Sequence, residues 1–198
     1  MKIFLDQNAF IAVVGLGLAC AVILLTRSWR LRLGALALQY IGVFWLVALS
    51  WPSGLASIKL VVGWMAGAIL GVSRIDQLPS DRRRWPTEWA FLGLVLILVF
   101  LSVATISPSI DSWLPTVHPA QTWAAMLLIG VGLVHLGVAS RGLRVIISLL
   151  TILSGFEILY AVVETSTLVA GLLAMVTLGI ALVGAYLLSK VSDEDVLE

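Results

Sequence analysis

The stretch VIISLLTILSGFEILYAVV at residues 145–163 decides the fold, because it is an apolar run of membrane length that contains one carboxylate, Glu157. About 20 apolar residues cross the hydrocarbon core of a bilayer as a helix. A carboxylate near the middle of such a helix costs roughly 2.5–3.5 kcal/mol on insertion scales, and it is usually paired, hydrated or functional. Glu157 is therefore the leading candidate for a functional residue.

The composition of the whole chain indicates the same class of protein. Of its 198 residues, 61% are hydrophobic and only 12% are charged, which is typical of an integral membrane protein. A net charge of +1 argues against nucleic acid as a partner. We predict an all-α integral membrane protein with a single membrane domain, 1–198, and seven transmembrane helices. The helices are predicted at 9–26, 33–50, 54–73, 88–107, 121–140, 145–163 and 167–189.

The basic residues predict the orientation of these helices. Arginines cluster after the first, third and fifth helices, whereas the loops near 51–53, 108–120 and 164–166 contain neither Lys nor Arg. By the positive-inside rule, the N-terminus is predicted outside and the C-terminus inside. The clustered arginines are Arg27, Arg30, Arg32, Arg74, Arg82, Arg83, Arg84, Arg141 and Arg144.

Some of these arginines are also candidate contact residues. Their simplest interpretation is a topology signal, and the alternative is that they bind anionic lipid or a cytoplasmic partner. The residues considered for lipid or partner contact are Arg82, Arg83, Arg84, Arg141 and Arg144.

The prolines predict unbroken helices, because all six fall in the predicted loops. Unbroken helices count against the transporter designs that build a substrate site from interrupted helices. The first helix is interpreted as transmembrane rather than as a cleaved signal peptide, since Asp6 accompanies Lys2 ahead of the apolar run. The prolines are Pro52, Pro79, Pro86, Pro108, Pro115 and Pro119.

A short repeat predicts an internal duplication. TRSWRL at 26–31 aligns with SRGLRV at 140–145, so that a first three-helix unit, 9–73, corresponds to a second, 121–189. Two such units in the same orientation need one extra crossing between them, and the helix at 88–107 provides it. The alternative is that two cytoplasmic loops acquired the R-x-x-R pattern independently.

The ionisable residues within the predicted helices are Lys59, His135 and Glu157, with Glu164 at an outer helix end. Lys59 lies four residues before Gly63, the first of three glycines at four-residue spacing, and is therefore expected to face protein. A helical rise of about 1.5 Å per residue places Lys59 and Glu157 at nearly the same depth. They form an ion pair in one interpretation. In the other, Lys59 snorkels to the outer surface and Glu157 makes one structural hydrogen bond.

A polar track near Glu157 is a further hypothesis. Ser154, Tyr160 and Glu164 lie on broadly the same helical face as Glu157. Each has an alternative role, since Ser154 can bond to its own helix, Tyr160 can belong to the interfacial belt and Glu164 can be solvated. His135 is interpreted first as a packing histidine and second as a haem or pigment ligand. No cofactor is predicted, and no spacing of Cys or His indicates a metal.

Several stretches resemble one family. SWRLRLGALALQ at 28–39, SIKL at 57–60 and SRGLR at 140–144 are similar to the E-type membrane subunit of hydrogenase-4 and formate hydrogenlyase complexes. The C-terminal part of that subunit is related to the K-type subunit of complex I and to the C-type subunit of Mrp antiporters. GFEIL at 155–159 resembles the element around the intramembrane glutamate of the K-type subunit.

The resemblance implies a non-redox subunit of a multisubunit assembly in the inner membrane of a prokaryote, with other membrane subunits as partners. It implies that Glu157 contributes to proton or cation translocation. Lys59 is the expected partner of Glu157, and Glu164, Tyr160 and His135 are further candidates for the ion pathway. The last predicted helix has no acidic residue where such proteins usually carry one, so the resemblance implies less than a complete K-type proton path.

Two other functions are consistent with the residues. The chain is either a purely structural assembly subunit, with Lys59 and Glu157 as a buried structural pair, or an independent small-solute transporter. It has no nucleophile beside a base and no Gly-rich phosphate loop after a strand, so no catalytic site is predicted within it. Any redox chemistry would then belong to partner subunits.

Overall fold

The computed structural model contains only helices, and no strand, in the residues it describes, which are 6–26, 28–73, 86–113, 116–139 and 142–197. Helices follow one another with short connections where these are described. In chain order they are α1 Ala9–Leu25, α2 Trp29–Ser50, α3 Ser53–Val72, α4 Pro86–Trp113, α5 Pro119–Val138, α6 Gly142–Val163 and α7 Thr167–Leu197.

The helices have the length and composition of transmembrane segments. Six of them, α2 to α7, are long and apolar enough to cross a membrane, and α1 is apolar but has only 17 residues. Because about 20 residues span the hydrocarbon core, this pattern is that of a multi-pass membrane protein. The prediction of an all-α membrane protein is confirmed at this level.

Two helices begin three or four residues earlier than predicted. α2 begins at Trp29 rather than at residue 33, and α6 begins at Gly142 rather than at residue 145. Arg30, Arg32 and Arg144 therefore lie in first helical turns, and the prediction that the arginines are confined to loops is wrong for them. The physical reason is that Arg and Leu are good helix formers, so the helix continues into the basic segment beyond the apolar core.

The prediction that every proline lies in a loop is also wrong. Pro108 lies inside α4, which continues to Trp113. A proline removes one backbone donor, but membrane helices tolerate this where neighbouring groups satisfy the freed carbonyl. Pro86 and Pro119 are the first residues of α4 and α5, where a missing N–H costs little. Pro79 and Pro115 lie outside the described residues.

Helices that follow one another in the chain run in opposite directions. In the α2–α3 contact, Tyr40 lies against Gly63 and Leu33 lies against Gly71, so the residue numbers rise in one helix as they fall in the other. The bundle therefore has two ends. We call the end at which α1, α3, α5 and α7 begin the N-terminal face, and the end at which α2, α4 and α6 begin the C-terminal face.

The helices α2 and α6 lie side by side and run in the same direction. Thr151 Oγ1 donates to Gln39 Oε1 over 3.3 Å, and further along Trp51 Nε1 donates to the Glu164 carbonyl oxygen over 2.9 Å. Both helices have 22 residues. This parallel contact forms the centre of the bundle and brings α3 and α7 to its flanks.

The buried apolar side chains form two clusters. The first fills the space around α1, α2 and α5 and reaches the N-terminal face through Trp51, Ala56, Ala161 and Ala170. The second lies toward the C-terminal face and contains Leu36, Leu70, Ile147, Leu150 and Ala181. Buried polar side chains, among them Gln39, Lys59, Thr151 and Glu157, lie between the two clusters.

Candidate functional site

Lys59 and Glu157 form a direct ion pair in the interior of the bundle. The Lys59 Nζ to Glu157 Oε1 distance is 2.7 Å, and the two side chains are 2% and 1% exposed. The sequence-based interpretation of a paired Lys59 therefore holds in the structure, and the alternative of a snorkelling Lys59 is wrong.

The two charged residues lie at the same depth, as their positions in the helices predict. Lys59 is six residues after the start of α3 at Ser53, and Glu157 is six residues before the end of α6 at Val163. At about 1.5 Å per residue, both are about 9 Å from the helix ends at the N-terminal face. The pair is thus in the half of the bundle nearer that face.

Thr177 of α7 is a third member of the site. Its hydroxyl lies 3.3 Å from Glu157 Oε1 and 2.9 Å from the Leu173 carbonyl oxygen, and its single proton serves one of these acceptors at a time. Thr177 cannot be recognised as a site residue from the sequence, because a threonine in an apolar helix commonly bonds to its own backbone. Only the helix arrangement reveals its contact with Glu157.

Tyr40 of α2 is the fourth member. Its ring lies directly on Gly63, where an added Cβ would overlap the ring atoms. The Tyr40 side chain is buried and lies close to the side chains of Ser154 and Glu157. Gly63 therefore makes room for an aromatic ring beside the ion pair, and this close contact explains why a glycine lies at this position of α3.

Gln39 and Thr151 extend the polar layer toward the C-terminal face. The Thr151 hydroxyl lies 3.3 Å from Gln39 Oε1 and 2.8 Å from the Ile147 carbonyl oxygen. Gln39 is fully buried, and its Nε2 has no hydrogen-bond partner among the described residues. A buried amide donor without a protein acceptor is uncommon in folded proteins.

The structure does not bring Tyr160 and Glu164, two predicted members of a polar track, into contact with the ion pair. Tyr160 stacks on Phe156, with ring centroids 5.6 Å apart, on a side of α6 where Phe156 is 47% exposed. Glu164 Oε1 accepts a hydrogen bond from the Ser166 backbone N–H over 3.0 Å at the start of α7. The Ser154 hydroxyl donates to the Leu150 carbonyl oxygen over 2.8 Å, as its alternative interpretation predicts.

His135 is buried in α5 but lies far from the ion pair. In the antiparallel α5–α6 contact, Gly132 lies against Ile152 and Gly155 lies against Leu128. This register places His135 about eight or nine residues, or about 13 Å, from the level of the pair. Within the described ranges, no group of His, Cys, Asp or Glu is arranged to hold a metal ion.

The arginines proposed as contact residues are described only in part. Arg144 lies in the first turn of α6, where its carbonyl oxygen accepts a hydrogen bond from the Ser148 hydroxyl over 2.7 Å. Arg32 is buried, and its Nε donates to the carbonyl oxygen of Thr26 at the end of α1 over 2.8 Å. Outside the described residues lie Arg27, Arg74, Arg82, Arg83, Arg84 and Arg141.

The chemistry available to the site is proton exchange. Transfer of one proton from the Lys59 ammonium to the Glu157 carboxylate converts the ion pair into a neutral pair without changing the total charge. A protonated Glu157 can also lose its proton to another carrier while Lys59 stays charged.

Comparisons of the chain with protein-family models, with curated proteins and with solved structures find no match.

Proposed function

We propose that this chain is a non-redox subunit of a multisubunit membrane assembly related to complex I, to hydrogenase-4-type complexes or to Mrp antiporters. In this proposal Glu157, paired with Lys59, contributes to proton or cation translocation. The observation that carries it is the fully buried ion pair, because charges inside a membrane protein are costly and usually mark ion or proton pathways.

The location of the resembling stretches supports this proposal. SIKL at 57–60 contains Lys59, GFEIL at 155–159 contains Glu157, and the stretch at 28–39 ends at Gln39. These segments are far apart in the chain, yet Gln39, Lys59 and Glu157 lie in one buried layer. A resemblance of independent apolar segments would not be expected to converge on a single site.

The proposal includes a duplicated architecture, in which α1–α3 and α5–α7 are equivalent units and α4 links them. Two contacts of the α2–α6 pair support it: Tyr40 with Ser154, and Trp51 with Glu164. Their partners are 114 and 113 positions apart, which matches the offset of 114 between the segments beginning at Thr26 and Ser140. Residues related by a two-fold axis meet in this way when they lie on that axis.

The membrane orientation is the first testable part. We propose an inner-membrane protein of a prokaryote with the C-terminal face in the cytoplasm, because the basic loops belong to that face. A reporter active only in the cytoplasm is expected to work when fused after residue 198, and one active only outside when inserted at 164–166. The opposite result for both reporters would reverse the orientation.

Glu157→Gln is expected to lower proton or cation translocation by the intact complex about tenfold or more, since a positioned acid–base group commonly contributes a factor of this size or larger. The amide keeps the shape and still accepts a hydrogen bond from Lys59, but it does not carry the proton. The measurement is ion flux in native membrane vesicles, with assembly checked on native gels.

Glu164→Gln is the matched control. The Glu164 carboxylate lies just after the end of α6, where it accepts a hydrogen bond from the nearby Ser166 backbone N–H at the N-terminal face. We expect it to leave the flux unchanged. Normal flux in a fully assembled Glu157→Gln complex would contradict the translocation role.

The second candidate function is that of a structural assembly subunit. The burial of the ion pair between apolar clusters favours it. Apolar clusters lie on both sides of the polar layer, so the pair has no open aqueous contact within the described part of the chain. Purification from the native membrane identifies the partners that both candidates require. A monomer that transports a solute alone would contradict both of them.

A further inference from the structure

The side of the ion pair that faces the N-terminal face is closed by small apolar residues. Ala56, Ala161 and Ala170 lie one or two helical turns from the site residue of their own helix, and all three are fully buried. Trp51 lies beyond them and is 1% exposed. None of these alanine side chains has an atom that hydrogen-bonds to water, so the three alanines provide no group that could relay a proton.

The opposite side of the ion pair is polar for about two helical turns. Tyr40 and Ser154 lie beside Glu157, and Gln39 and Thr151 lie next to them along the α2–α6 contact. On α3 and α7 the residues at these levels are apolar, and Ala181 is fully buried there. Among these four helices, polar side chains therefore continue from the ion pair only along the contact of α2 with α6.

Gln39 shows that this polar contact is incomplete with protein atoms alone. Its Oε1 accepts from Thr151, but its fully buried Nε2 donates to no described residue. Buried polar groups that lack a protein partner are commonly satisfied by an internal water, which makes about three hydrogen bonds. The hydroxyl groups of Thr151, Tyr40 and Ser154 supply further donors and acceptors along the same contact.

We infer that Gln39 holds an internal water and that Gln39, Thr151, Ser154 and Tyr40 line a one-sided route by which Glu157 exchanges protons with the C-terminal face. The inference rests on the proposed function. A proton leaves the Glu157 carboxyl, each hydroxyl or water on the route accepts one proton on its oxygen and passes another on, and the Glu157 carboxylate is left beside the Lys59 ammonium.

The route ends at an apolar barrier. Leu36 lies one helical turn from Gln39 on α2, and Ile147 lies one turn from Thr151 on α6, and both are fully buried. Water must pass these two side chains before a proton reaches the basic end of the bundle. Tyr40 and Lys59 are the other titratable groups that face Glu157, and no Asp, Glu or His faces it in the described residues.

Removal of the polar groups on the route tests the inference in native membrane vesicles that contain the intact complex. Gln39→Leu removes the water partner, and Tyr40→Phe removes one hydroxyl but keeps the ring on Gly63. Each is expected to lower the flux about tenfold. Thr122→Val is the matched control, since Thr122 is equally buried but belongs to α5 rather than to α2 or α6.

The outcomes separate this inference from the proposed function. Unchanged flux in Glu157→Gln overturns both. If Glu157→Gln abolishes flux while Gln39→Leu and Tyr40→Phe behave like Thr122→Val, the route is overturned and the role of Glu157 stands.

Sided labelling gives a second readout that does not depend on flux. In a Cys20→Ser background, Gln39→Cys and Ala161→Cys are treated with silver ion, a small thiol reagent, in vesicles of either orientation. Gln39→Cys is expected to react about tenfold faster from the C-terminal face than from the N-terminal face, because on the proposed route water passes Leu36 and Ile147 to reach it from that side. Equal rates for Gln39→Cys, or reaction of Ala161→Cys from the N-terminal face, would overturn the inference.

Discussion

Lys59→Met is expected to destabilise the folded bundle by about 3–5 kcal/mol, because it leaves a buried carboxylate without its cation. Glu157 is 1% exposed at its side chain and would keep only the Thr177 hydroxyl as a donor. Met has the length of the Lys side chain and adds no clash. The measurement is the thermal unfolding midpoint of the purified protein in detergent, together with the yield of assembled complex.

The double variant Lys59→Met/Glu157→Leu is the matched control. Removing both charges is expected to restore most of the stability, since an uncharged pair needs no compensation in an apolar interior. A double variant that assembles but does not translocate ions supports the translocation role. One that assembles and translocates normally supports the structural role. A single Lys59→Met variant as stable as the unaltered chain would contradict the buried ion pair itself.

Gly63→Ala is expected to destabilise the bundle by about 1–3 kcal/mol, the usual cost of overpacking a core. The added methyl group would overlap the Tyr40 ring, which is 1% exposed and has little space to move. Displacement of Tyr40 would also disturb its contacts with Ser154 and Glu157. Thermal unfolding in detergent measures the loss of stability, and flux measures the effect on the site.

Gly67→Ala is the control on the same helix, one turn away. A Cβ at Gly67 would meet no atom within 4 Å, and alanine is a better helix former than glycine by about 1 kcal/mol. Gly67→Ala is therefore expected to be neutral or slightly stabilising. Equal effects of the two substitutions would mean that Tyr40 does not occupy the space over Gly63.

Hydropathy is sufficient to predict the class of this fold, because a bilayer requires long apolar helices that satisfy their own backbone hydrogen bonds. The ends of the helices are harder to predict. Arg32 is polar, yet it lies within α2 and its side chain bonds to Thr26, and Pro108 lies within α4. A hydropathy pattern does not show that Arg32 and Pro108 are accommodated within helices.

The charged half of the site is predictable for the same reason that it is unusual. Lys59 and Glu157 are costly in an apolar helix, so each needs a partner, and equal depth makes each the natural partner of the other. Tyr40, Gln39 and Thr177 are uncharged, so burial of each costs far less than burial of a charge and does not by itself predict a partner. Their role depends on which helices touch, and residue spacing within one helix does not determine that.

The alanines between the ion pair and the N-terminal face have an electrical consequence. A membrane potential falls mainly across the part of a protein that is dry and weakly polarisable, and a full crossing of one charge is worth about 2.3 kcal/mol per 100 mV. On the proposed route, a proton that reaches Glu157 from the C-terminal face has not crossed the alanine layer. Most of the potential difference then lies between Glu157 and the N-terminal face, so the same small side chains that exclude water also hold the voltage that acts on any further movement of the proton.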